Sequence, residues 1–186
     1  MSSAVKTLEK PRLSVKSQAL WTIGTIVGSV ALPQLFHLMG ELSGLGTKLG
    51  ETFLPMHLPI IIAGLLAGPY AGAIAGFLSP LISFALSGMP SAAMLPFMMI
   101  ELCVYGLASG LLRNIKLPVI GKVLIAQIGG RAVRAAAIAL SVYALGNDSI
   151  KISVIWTSIA SGIFGLALQW ALIPLIVFRA ENGSRE

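Results

Sequence analysis

Between Leu58 and Ile100 the chain carries no charged side chain. Only 11% of its residues are charged, against 56% hydrophobic, and its mean hydropathy is +0.89. Charge this scarce argues against a soluble domain and fits an integral membrane protein built of helices. The apolar runs are long rather than short and alternating, which argues against a transmembrane barrel. The single cysteine, Cys103, rules out an intrachain disulfide. There is no Gly-x-x-x-x-Gly-Lys-Ser/Thr phosphate loop, so any ATP-driven step needs another chain. The net charge of +6 is no nucleic-acid signal, because the basic residues border apolar runs, where topology explains them. A length of 186 residues allows one domain of about six spans, with no soluble domain left over.

What is present is apolar and punctuated. As one helix, Leu58–Ile100 would run about 65 Å at about 1.5 Å per residue, twice the thickness of a bilayer core of about 30 Å. It must fold back, and Gly68-Pro69 and Gly88-Met89-Pro90 mark the turns. The expected elements are a short helix from His57 to Ala67, a helix from Tyr70 to Ser87 and a helix from Ala92 to Leu112. The short one is well under the ~20 residues of a full crossing. It therefore starts below the outer surface, with the Gly-rich loop Met39–Pro55 folded over it. Irregular backbone at that depth is tolerated where it lines a cavity, so a cavity on the outer side is expected.

The remaining spans are expected at Ser17–Leu38, Pro118–Leu145 and Ile150–Phe178. The first apolar run, of about 20 residues, exceeds a signal-peptide core of about 7–15 and is followed by no small-x-small cleavage site, so it reads as a span. It carries Gly24-x-x-x-Gly28, a face that lets another helix approach closely, either inside the protein or on a partner subunit. The domain reading is a tail over 1–16, a six-helix membrane domain over 17–178 and a tail over 179–186. Six spans put Lys6, Lys10, Arg12, Lys16, Arg113, Lys116, Lys122, Arg179 and Arg185 on one side, and only Lys48 and Lys151 on the other. The positive-inside rule then places both termini in the cytoplasm.

Three ionisable residues fall within spans, and such residues mark functional sites by default. Span midpoints place Arg131 near mid-depth, with Glu101 and Arg134 slightly to the outer side. Glu101 can thus pair with either arginine, the two being three apart on one helix face. Such a pair either ties helices together or leaves one arginine to take an anionic or carbonyl group of a ligand. Two arginines and one glutamate leave a surplus positive charge, and Arg134, nearer the outer side, is the choice for the ligand. Gln127 and Gln169 lie at matching depth on the cytoplasmic side of centre and can hydrogen-bond each other. His57 reads either as a helix-end histidine bonded to the loop or as a ligand-lining group. His37, Glu41 and Glu51 lie near it, but their spacing matches no metal motif, and no metal or cofactor is expected. Met89 and Met98 are candidates for adaptable apolar contact with a ligand. His57 and Glu101 are the only plausible general bases, and no nucleophile motif accompanies them, which argues against an intramembrane enzyme.

The stretches LPMHLPIIIAGLLAGPYAGAIAGFLSPLISFALSGMP and LPFMMIELCVYGLASGLL resemble the substrate-binding S components of energy-coupling factor (ECF) vitamin transporters. GGRAVRAAAIAL and SGIFGLALQWALIPLIVF are similar to the fifth and sixth helices of the same group. The resemblance covers residues 17–178. It implies a multi-pass protein of the prokaryotic plasma membrane, with six helices, both termini inside and a ligand pocket near the outer face. The loops at 39–56 and 88–92 would close that pocket. It further implies a vitamin or vitamin precursor as ligand, and association with a T-type membrane subunit and two ATPases. Where family members often present Ala-x-x-x-Ala to the T subunit, this chain has Gly24 and Gly28. A stand-alone carrier or channel is the alternative.

Overall fold

The computed structural model describes residues 13–46 and 48–183. Lys6, Lys10, Arg12 and Arg185, used above to orient the chain, lie outside the described residues. All regular structure among the described residues is helical: α1 Val15–Leu42, α2 Lys48–Phe53, α3 His57–Ala67, α4 Pro69–Ser87, α5 Leu95–Leu111, α6 Val119–Tyr143, α7 Val154–Ser161 and α8 Ile163–Gly183. Six segments among them are long and apolar enough to cross a membrane. Four are single helices, one is α5 with the 3-10 turn Leu112–Asn114 that follows it, and the sixth is the pair α2–α3, Lys48–Ala67. With 11 residues, α3 alone spans about 17 Å, so α2 supplies the missing depth.

Local chemistry explains the boundaries. Ser14 caps α1, its Oγ accepting from the Ser17 N–H at 3.2 Å. At the α3–α4 turn Gly68 has φ +112°, and Pro69 opens α4, where its missing N–H costs nothing. Gly88 ends α4 in the left-handed conformation, its N–H bonded to the Phe84 carbonyl at 2.8 Å.

The centre of the bundle is α4 against α5. Their backbones touch: a Cβ on Gly106 would run into the Gly72 carbonyl, and one on Gly76 into Leu102. Such contact suits a membrane interior, where dispersion rather than hydrophobic exclusion holds helices together. Around this pair Ile60, Ile61 and Leu65 of α3, Leu102 and Tyr105 of α5, Val123 of α6, and Ile173 and Val177 of α8 form the core. Leu20, Ile23, Val27 and Leu35 of α1 point outward, as lipid contact requires.

Three expectations are corrected. The loop expected at Met39–Pro55 is largely helical, because α1 continues to Leu42 and α2 follows it. The single span expected at Ile150–Phe178 is broken at Gly162 into α7 and α8. The break has a steric cause. Leu54, at φ +48°, turns the chain from α2 into α3, and its side chain packs at Gly162 while Phe53 backbone packs at Gly165. A Cβ at Gly162 would lie 2.7 Å from Leu54 Cδ1, and one at Gly165 2.6 Å from the Phe53 carbonyl carbon. Finally, Lys122, expected in the basic connection, lies within α6, buried, and its Nζ donates to the Arg113 carbonyl at 2.8 Å.

Candidate functional site

The two ends of the bundle differ. The starts of α1 and α6 and the end of α8 share the end where Lys16, Arg113, Lys116 and Arg179 cluster. The opposite end holds the close of α1, the α2–α3 corner, the α4–α5 turn and α7. There a cavity of about 470 Å³ opens. Pro33 and His37 come from α1, Gly50 and Glu51 from α2, Leu54 to His57 from the corner, and Ser83 from α4. Met89, Pro90, Ser91, Met94 and Met98 come from the α4–α5 turn and α5, Arg134 from α6, and Val154, Thr157, Ser158 and Ser161 from α7. One face is thus apolar and methionine-rich, and the other offers hydroxyls, imidazoles and a guanidinium. Ligand sites are commonly concave, mostly apolar and furnished with a few placed polar groups.

Behind the cavity lies a buried polar cluster. Glu101 is fully buried on α5. Its Oε2 accepts from Arg134 Nη1 at 2.8 Å, and its Oε1 accepts from the Tyr105 hydroxyl at 2.9 Å. Of the two arginines in reach by depth, Arg134 therefore takes the carboxylate. One charged partner and one hydroxyl, a hydrogen bond to each oxygen, hold Glu101, as a buried carboxylate requires. The His57 ring lies 5.5 Å from the Tyr105 ring, centroid to centroid. It is 3% exposed, and neither ring nitrogen makes a well-formed hydrogen bond with a described residue, the Leu54 backbone offering only a weak polar contact. Such a group is costly to leave unmet and points to a partner from outside the chain.

The residues singled out from sequence separate in space. His57, Met89, Met98 and Arg134 line the cavity, while Glu101 stands one layer behind it, holding Arg134. Arg131 faces a different, smaller cavity between α6 and α7. Gly24 is exposed, with nothing near the position of a Cβ, and Gly28 packs toward Pro59 of α3. Gln127 Nε2 donates to Gln169 Oε1 at 2.8 Å, and Gln127 Oε1 accepts from Trp170 Nε1 at 2.7 Å. His37 and Glu51 share the cavity wall, yet among the described residues no group of three or more His, Cys, Asp or Glu side chains is arranged to hold a metal.

Sequence reasoning missed Ser83 and the α7 wall, Thr157, Ser158 and Ser161. A signal existed: Ser158 and Ser161 are three apart, on one face of a run otherwise apolar enough to be read as lipid-facing.

A family model described as ECF transporter, substrate-specific component, matches residues 20–179. No curated protein and no solved structure matches the chain.

Proposed function

The chain belongs to the substrate-specific components of ECF transporters, integral multi-pass membrane proteins, and on that premise we propose that it captures a vitamin or vitamin precursor in the cavity of about 470 Å³. The observation that carries this reading is the pairing of that cavity with a buried His57 whose ring nitrogens make no well-formed hydrogen bond with a described residue. The volume lies within the ~300–1,000 Å³ of small-molecule sites. His57 offers one donor and one acceptor when neutral. Arg134, steadied by Glu101, presents its remaining N–H groups. Met89 and Met98 supply polarizable contact that adapts to a ring. The α2–α3 corner and the α4–α5 turn, which line the cavity, are the segments that move for entry in this reading.

The chain performs no chemistry in this reading. A T-type membrane subunit and two ATPases, separate chains, supply the energy, and Gly24 with Gly28 on α1 presents the docking face. The cavity lies at the end opposite the cytoplasmic one, and in this reading the bound molecule reaches the cytoplasm by a movement of the whole bundle, as the family resemblance implies.

Mass spectrometry of small molecules released from the purified, detergent-solubilised chain tests this. A stoichiometric vitamin or precursor is expected, absent from His57→Ala purified in parallel. A chain that arrives empty, binds nothing in a vitamin panel and copurifies with no ATPase would move the reading to a stand-alone carrier or channel.

A further inference from the structure

We propose that the molecule carried is a monoanionic carboxylic acid, and that Arg131, in the side cavity between α6 and α7, receives its carboxylate. This deepens the binding reading above and rests on it.

The side cavity has a volume of about 190 Å³, and its lining includes Arg131, Arg134, Ile138, Ile155, Trp156 and Ser158. Arg134 and Ser158 line the main cavity as well, so the two adjoin along one edge. In this proposal a molecule seated in the main cavity extends an end group past the Arg134 and Ser158 side chains to Arg131.

The charges at that edge are unequal. Arg134 is neutralised by Glu101, and both Glu101 oxygens are engaged, one by Arg134 and one by Tyr105. Arg131 acts on Glu101 only through its field, and makes no direct contact with it. Arg131 makes no hydrogen bond or ion pair with any described residue, and its Nε is shut off from solvent without a partner. Arginine does not shed its proton, so this charge persists and requires an anion.

Depth and charge select the anion. Arg131 stands at the midpoint of α6, Val119–Tyr143, about 18 Å from either end at about 1.5 Å per residue. Lipid headgroups lie at the ends of such a helix, which favours the dissolved ligand as the source. The interior set of Glu101, Arg131 and Arg134 carries one surplus positive charge. A single carboxylate cancels it and matches the planar fork of a guanidinium, whereas a dianionic phosphate overshoots.

The test uses the full chain in phosphatidylcholine nanodiscs and calorimetric binding of matched pairs: nicotinate with nicotinamide, biotin with biotinamide, pantothenate with pantothenol. At least one acid should bind tenfold or more tighter than its uncharged twin. Arg131→Gln should abolish that preference while the unfolding temperature stays unchanged, and Arg131→Lys should keep part of it. An uncharged member bound as well as or better than its acid overturns the acid assignment and leaves the binding reading standing. Loss of the acid preference when phosphatidylglycerol is added assigns Arg131 to a lipid headgroup and overturns the proposal. Binding of no member of either kind overturns the acid assignment, and the binding reading is then decided by the mass spectrometry above.

Discussion

The Glu101–Arg134 pair is open to a quantitative test by a double-mutant cycle. Glu101 is 0% exposed and Arg134 12%, at 2.8 Å, and they join α5 to α6. Glu101→Ala strands the Arg134 guanidinium and removes the acceptor of the Tyr105 hydroxyl. Stranding one partner of a buried ion pair costs about 3–5 kcal/mol. An unmet hydroxyl adds about 1–3 kcal/mol. Arg134→Ala strands the carboxylate and costs a similar amount. The double variant strands only the hydroxyl, so its loss should fall well short of the sum of the singles. The two stranding terms, about 3–5 kcal/mol each, set an upper bound on the coupling of about 6–10 kcal/mol, and a value at or above the top of the ~0.5–3 kcal/mol range for residues in contact is expected. Arg131→Gln is the control, because Arg131 makes no hydrogen bond or ion pair with a described residue, and it should change stability by no more than about 0.5 kcal/mol. The assay is reversible unfolding of the four chains in mixed micelles, followed by helix content. Additive losses, with coupling under about 0.5 kcal/mol, would refute the claim that this pair clamps α5 to α6.

Gly106→Val sets a side chain against the Gly72 carbonyl; it should abolish recovery of monodisperse protein, and a variant that purifies with the parent unfolding temperature would contradict the backbone contact of α4 with α5. Gln127→Leu leaves the Gln169 side-chain carbonyl and the Trp170 indole N–H unmet, which should lower stability by about 1–3 kcal/mol in the same unfolding assay. Gly24→Leu projects into open space and should leave ligand affinity and stability intact while uptake by cells falls; normal uptake would remove Gly24 from the docking face. Gly162→Val meets Leu54 at the α7–α8 break, and equilibrium binding should weaken tenfold or more as the α7 wall shifts; unchanged affinity would mean that α7 takes no part in holding the ligand.

Several parts of this arrangement were legible before any coordinates. Depth counted along antiparallel spans brought Gln127 to Gln169 and Glu101 to the arginines, because helical rise converts residue number directly into height. His57 and the two turns around it announced an outer cavity, because an 11-residue helix cannot cross alone. The choice between Arg131 and Arg134 was not legible. Three apart, they share a helix face in projection, and only the positions of α5 and α7 around α6 send one to Glu101 and the other to a side cavity. The α7 wall was hidden for a different reason. Hydropathy measures composition, and the break at Gly162 comes from the Phe53–Leu54 corner packing against it more than a hundred positions away in the chain.

What sequence alone determined was the class of protein and the number of its membrane crossings. Apolar length, turn residues and flanking charge are local quantities, and the bilayer reads them segment by segment. Tertiary structure decided which arginine is neutralised, which is left facing a cavity, and that a broken last span walls the site. Those outcomes depend on helix rotation and on glycine-to-backbone contact between distant segments, neither of which a local property of the chain encodes.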